Sequence, residues 1–358
     1  MMQRREFVAI VCGAAAARRI TAAACASPIN NSAVAFVSQL PLYTPQRPVS
    51  GTIRLWGHGS FKHDFMGPLV HGWMRALNRH LPGVTLDFRM YGTASAVGAL
   101  VTGSANLAIL GEEISPAAAR AFERARGYSP TLVQVATGSL DVNFFDYAHM
   151  IFVHRDNPLT KLDLTQLDAI YGQEHRRGGR NIRLWDELGL PGDWAQRRIQ
   201  PYGWKFDEDF ALFFSAAVLE GSHRWNSDIR EYVHQIRADG SQYDHGQRIL
   251  DALAQDRYGI AISNLRYAVP EVKSLALAAA NGGAYFSASP ETLISQEYPL
   301  TRIIPAVVDR APGAGIEPVV REFLRFVLSR EGQQTLLTDS CYLPLGSKAI
   351  RAQLERLQ

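Results

Sequence analysis

The sequence of 358 residues predicts an α/β protein of two lobes, each a mostly parallel sheet flanked by helices, and three observations carry that expectation. A mass of 39.6 kDa exceeds what one hydrophobic core usually organises, and a 47% hydrophobic content is enough for two. From Gly51 onward β-like runs alternate with helical ones, an order that requires parallel strands joined by crossover helices. Two strand-to-helix turns, Trp56-Gly57-His58-Gly59-Ser60-Phe61 and Tyr91-Gly92-Thr93-Ala94-Ser95-Ala96, combine glycine with small hydroxyl residues in consecutive units. Glycine lets the backbone approach a ligand, and Ser or Thr caps the next helix or donates to a bound oxygen. Repetition of the device implies one cleft served by both turns.

Residues 1–26 read as an export signal: Arg4-Arg5-Glu6-Phe7, a mildly apolar Ala/Gly-rich run over 8–17, and Ala24-Cys25-Ala26 as a small-residue cleavage site. Paired arginines before so weakly apolar a segment resemble a twin-arginine signal. Arg18-Arg19 interrupts the pattern, and Cys25 after three alanines offers a lipid-anchored alternative to soluble export. No later stretch reaches the roughly 18 apolar residues of a membrane-spanning helix. The formal charge of +3 lies in this segment, which holds four Arg and one Glu, leaving 33 basic and 33 acidic residues elsewhere. A neutral mature chain has no wholesale attraction for nucleic acid. Cys12 and Cys25 also fall here, so Cys341 is expected to stand alone, with no structural disulfide.

Residues 27–50, with four prolines among polar residues, read as a linker. A strand follows at 52–56, a helix at 64–80 with Phe65, Leu69, Trp73, Met74 and Leu77 on its apolar face, and a strand at 84–91. A helix over 95–102, a strand over 107–110 and an Ala/Arg-rich helix over 115–126 continue the alternation, then strands at 131–137 and 149–154. Asp156-Asn157-Pro158 breaks the pattern and marks a crossing between lobes. In the second block helices are expected over 164–171, 210–219, 229–236 and 245–256, with a strand at 259–263. An apolar strand at 301–308 returns to the first lobe, where helices at 317–329 and 331–338 close the fold. Lobe 1 thus takes 51–154 with 275–358 and lobe 2 takes 155–274, hinged near 155–158 and 268–277.

The ordered signatures of this chain resemble bacterial periplasmic solute-binding proteins of the phosphate-transport type, the extracytoplasmic components of ABC importers. They are the first turn, Gly92-Thr93-Ala94 opening a helix, Asn106-Leu107-Ala108-Ile109, and the crossing with its Asp-Asn-Pro. Further on come Ala169-Ile170-Tyr171-Gly172-Gln173 with Leu184-Trp185-Asp186-Glu187-Leu188, Tyr298-Pro299-Leu300, Ser329-Arg330-Glu331-Gly332-Gln333 and Tyr342-Leu343-Pro344-Leu345. The resemblance implies the type II periplasmic-binding-protein fold, with an oxyanion held in a cleft between lobes. It places Gly59, Ser60 and Phe61 in the first donor turn, Thr93, Ala94 and Ser95 in the second, and Glu112 at the carboxylate position. In the second lobe Tyr202-Gly203-Trp204-Lys205-Phe206-Asp207-Glu208-Asp209-Phe210 stands where the family carries an Arg and a Ser-Gly-Thr turn. Carboxylates there repel an anion: two unit charges about 4 Å apart cost on the order of 4 kcal/mol at an effective dielectric of 20. Either Lys205 supplies the cation and the acids turn outward at a helix N-terminus, or Asp207 or its neighbours face a cationic or hydroxylated solute.

His58, His63 and His71 lack the spacing and partner acids of a metal set, so no metal and no cofactor is expected. Phe210, Phe213 and Phe214 follow helical spacing and read as core, whereas Trp204 and Phe206 are free to reach the cleft. Ser60 beside His58 and His63 has no nucleophile elbow, and Gly57-His58-Gly59 lacks the third glycine of a dinucleotide fingerprint. The expectation is a monomeric binding protein, not an enzyme, for a small-molecule or inorganic anion, with a membrane permease as implied partner. The competing class keeps the fold, loses the anion site and contacts another protein in sensing or secretion.

Overall fold

The computed structural model describes residues 30–59, 66–142 and 145–358. The chain opens with helix α1 (Asn30–Ser38), where a linker was expected. Ala33 and Val37, one turn apart, are buried, as are Leu40 and Tyr43 just beyond. The Tyr43 hydroxyl donates to Glu322 Oε2 at 2.8 Å and its amide to Glu331 Oε2 at 2.8 Å. Apolar residues at helical spacing therefore outweigh the prolines around them.

The first sheet is built from β1 (Gly51–Gly57), α2 (Gly67–Leu77), β2 (Val84–Arg89), α3 (Thr93–Val101), β3 (Leu107–Ile109), α4 (Pro116–Arg126) and β4 (Thr131–Thr137). The second contains β5 (Met150–His154), β6 (Lys161–Asp163), α5 (Leu164–Tyr171), β7 (Gln200–Trp204), α6 (Asp209–Ala217), β8 (Arg230–Tyr232), β9 (Gln235–Ile236) and β10 (Gln242–Tyr243) in its neighbourhood. It continues through α7 (His245–Ala254), β11 (Gly259–Ser263), β12 (Val272–Ser274), β13 (Ala276–Ala278) and α8 (Pro290–Ile294). The chain then returns through β14 (Ile303–Val308), α9 (Pro318–Val327), α10 (Arg330–Asp339) and α11 (Ser347–Arg356).

The first five-stranded sheet has the order β2-β1-β3-β14-β4 and the second β12-β5-β11-β7-β8. β1 lies parallel to β2 and β3, while β14 runs antiparallel to both β3 and β4. In the second sheet β7 is parallel to β8 and β11, while β5 runs antiparallel to β11 and β12. Each sheet is thus mixed, and its one reversed strand is the first to arrive from the other sheet. β14 reads Ile303-Ile304-Pro305-Ala306-Val307-Val308, a continuous apolar run because both its faces are covered. Trp73 of α2 and Phe323 of α9 pack against Ile53, Leu55 and Ile304 on one face. Ala96 and Leu100 of α3 and Phe122 of α4 cover the other against Ala108 and Val307.

Three expectations need correction. β5 belongs to the second sheet, because its partners β11 and β12 lie there, so Asp156-Asn157-Pro158 ends a strand and does not lead across. Residues 229–236 are not a helix: β8 extends the parallel ladder, with Tyr202, Gly203 and Trp204 beside Arg230, Glu231 and Tyr232. Cys341 is disulfide-bonded, so it does not stand alone. Among the described residues no helix is long and apolar enough to cross a membrane.

The chain passes between the sheets twice, after β4 and again before β14, and the two passages meet where Gly138 and His149 bond to 298–302. Gly138 N donates to Arg302 O at 2.9 Å, His149 N to Leu300 O at 3.3 Å, and the Tyr298 hydroxyl to His149 O at 2.9 Å. Only glycine fits at 138, where a Cβ would stand 1.9 Å from Asp146 O.

Candidate oxyanion site at the junction of the sheets

Three loops at the C-terminal ends of β1, β2 and β3 converge on Thr93. Gly92 precedes α3 with φ of +92°, a conformation open to glycine, and turns the chain so that the helix begins at Thr93. Thr93 Oγ1 accepts from Gly111 N at 3.3 Å and lies 3.4 Å from His58 Nδ1, linking the three loops. Ser95 Oγ donates to Gly92 O at 2.9 Å and so buttresses the turn. The first amides of α3, at Thr93 and Ala94, belong to the helical turn that has no acceptor within its own helix. Gly59 ends the described part of the first turn; Ser60 and Phe61 lie outside the described residues.

Glu112 and Glu113 follow β3 toward the junction. Glu113 Oε1 accepts from Ile303 N at 2.6 Å, and its Oε2 accepts from Arg302 Nε at 2.8 Å. The Arg302 side chain is only 2% exposed and also pairs with Asp146 at 3.1 Å. Its guanidinium lies 4.3 Å from the Phe213 ring centroid, which brings the second sheet's α6 against it. His149, buried beside it, is held well below its ordinary pKa, first by burial and then by the Arg302 charge. Burial likewise holds Asp146 well above the carboxylate range, with Arg302 opposing.

The Glu112 carboxyl is pushed up to about 7, first by burial, then by Asp209 and Glu113, with Arg302 opposing. Asp209 opens α6, so the two sheets contribute facing carboxyls to one electrostatic cluster. Glu208, at the N-cap of the same helix, accepts from His245 Nδ1 at 2.7 Å. Lys205 and Asp207 are not drawn in: they pair with each other at 2.8 Å, their side chains 45% and 54% exposed. Trp204 is buried, 4.6 Å from the His149 ring, and Phe206 is turned outward. Phe210 stacks on Trp204 and Tyr147, so the aromatic group forms the wall between α6 and the crossing segment.

Of the residues singled out in the sequence, Gly59, Thr93, Ala94, Ser95 and Glu112 lie on the neighbouring loops of the first sheet. Arg302, Glu113 and Asp146 were missed, whereas Asp209, one of the three acids weighed before Phe210, is the one whose charge reaches Glu112. Arg302 had a readable signal, a lone cation inside the apolar run from Tyr298 to Val308. Chemically, neutral N–H and O–H donors on one side face carboxyls whose charge one guanidinium only partly offsets. A carboxyl poised near neutrality gives a proton to an oxyanion or takes one from it, so that one proton is shared either way.

Two mixed sheets whose loops converge at a polar junction define an α/β architecture of two sheet units. No family model matches the chain. Over 329 residues it is 30% identical to the phosphate-binding protein PstS of Pseudomonas aeruginosa, strains PAO1 and UCBPP-PA14, a match covering 91% of this chain and 93% of that protein. The crystal structure of PstS from Borrelia burgdorferi shares the fold, with a TM-score of 0.53 at 12% identity over 83% of this chain and 100% of that one. The chain belongs to the PstS family of phosphate-binding proteins.

Proposed function

We propose that this chain is a periplasmic binding protein that delivers a phosphate-like oxyanion to the permease of an ABC importer. The observation that carries this reading is the convergence at Thr93 of three loops rich in neutral donors, with Glu112 beside them. Gly59, Ser60, Phe61, Thr93, Ala94 and Ser95 donate amides and hydroxyls to the anion, and Glu112 shares a proton with it. The N-terminus of α6 closes from the other sheet, and Lys205 with Asp207 stays at the rim. The sheets act as two lobes, with 138–149 and 279–302 as the hinge, and residues 1–26 direct export, by the twin-arginine route. Binding and release, not catalysis, is the activity.

A second reading has one observation in its favour: Arg302 and Lys205 are both engaged by carboxylates. In that reading the fold contacts a protein partner and holds no anion. Calorimetric titration of the protein with phosphate, beside a thermal-shift panel of anions, sugars and amines, separates the two. Micromolar or tighter phosphate binding supports the first; silence from phosphate and from the whole panel supports the second.

A further inference from the structure

We propose that His234, Asp244 and His245 form a binding site for a divalent first-row metal ion of the zinc type. The three come from the turn after β8 and the start of α7, and one donor atom from each lies within 4.8 Å of the others. Asp244 Oδ1 is 3.8 Å from His234 Nδ1 and 3.7 Å from His245 Nε2, too far for hydrogen bonds. An ion about 2.0–2.2 Å from each donor spans those separations. The two imidazoles stack with centroids 4.0 Å apart, presenting their edges to the same carboxylate.

The surroundings set the donors as a metal needs them. Glu208 Oε2 lies 2.7 Å from His245 Nδ1 and accepts its proton, which leaves the Nε2 lone pair facing Asp244. A carboxylate on the far nitrogen of a ligating histidine fixes its tautomer and raises its basicity. Asp244 is the N-cap of α7 and takes Gly246 N at 3.1 Å, so its carboxylate is already oriented. His234 Nδ1 takes Gln242 Nε2 at 2.8 Å on the exposed side and the His245 amide at a longer 3.3 Å, and an ion claims that lone pair by displacing the flexible Gln242 side chain. Two nitrogens and one oxygen suit zinc and its neighbours and leave a coordination position for water. Phe210, with its ring 5.6 Å from His149 and 5.4 Å from His245, packs between this trio and the Arg302 cluster, so the site stands apart from the proposed oxyanion contacts.

The test is titration of tag-free, chelator-treated full-length protein with Zn²⁺ by calorimetry, and with Co²⁺ by visible absorption. One equivalent binding with a Kd of about 10 μM or tighter is expected, with d–d bands of a low-coordinate cobalt site. His234→Ala and Asp244→Asn, the latter retaining the helix cap, each weaken binding about 100-fold with unchanged circular dichroism. Glu208→Gln, which alters only the positioning partner, weakens it about 10- to 100-fold, and exposed His223→Ala leaves it unchanged. Absence of a saturable single equivalent, or wild-type binding in both His234→Ala and Asp244→Asn, overturns the proposal.

Discussion

Replacing Glu112 by Gln removes a carboxyl whose titration the fold moves into the neutral pH range. Its rise from 4.5 to about 7 corresponds to about 3 kcal/mol between the two protonation states, at ~1.4 kcal/mol per pH unit. That figure is an upper one, because solvent still reaches part of the group and screens it. Between pH 4.5 and 7 the folded chain keeps a proton that the unfolded chain has released, so stability falls as pH rises through that window. Below the window the carboxyl is neutral in both states; above it the full penalty applies. The variant should therefore match the wild type at pH 4 and exceed it at pH 8 by up to about 3 kcal/mol in urea unfolding, with a melting temperature several degrees higher. A stability gap of equal size at both pH values, or a variant less stable at pH 8, would refute the burial and like-charge reasoning.

Arg302→Met leaves Glu113 and Asp146 without their buried partner and should cost about 3–5 kcal/mol in the same assay at pH 7. Thr93→Ala removes the hydroxyl that ties three loops together and should weaken phosphate about 10- to 100-fold by calorimetry, the worth of one hydrogen bond to a charged ligand. Lys205→Ala should leave phosphate affinity unchanged, since that ammonium is exposed and paired with Asp207; a large loss would show that Lys205 reaches the anion. Asp209→Asn removes a like charge facing Glu112 and should tighten phosphate binding severalfold at pH 8.

Strands with unambiguous apolar runs were legible in the sequence: β4, β11 and the helix α5 have the expected bounds, because burial on both faces or clear caps leave little choice. Residues 229–236 were misread because Ile229, Tyr232, Val233 and Ile236 recur at helical spacing, while the parallel ladder offered by β7 decides the outcome. The crossing was misplaced because Asp-Asn-Pro is a strong turn signal, whereas the segment that crosses holds its course by long-range bonds to 298–302. The same limit applies to the site. Glycine and hydroxyl placement located the turn at Gly92 and Thr93, since local backbone geometry demands those residue types. Arg302 meets Glu113 and Asp146 only through tertiary contact, nearly two hundred positions away in one case. Nor does local sequence say which way Lys205 points; the neighbouring Asp207 does, at 2.8 Å.

An oxyanion held beside a carboxyl that shares its proton is probed most sharply by the phosphate Kd at pH 6 and pH 8 in the wild type and in Glu112→Gln. Micromolar or tighter binding to the wild type is expected at pH 6, weakening about tenfold by pH 8 as Glu112 ionises, with a smaller pH dependence in the variant. Absence of phosphate binding at both pH values, or an identical pH dependence in the two proteins, would contradict it.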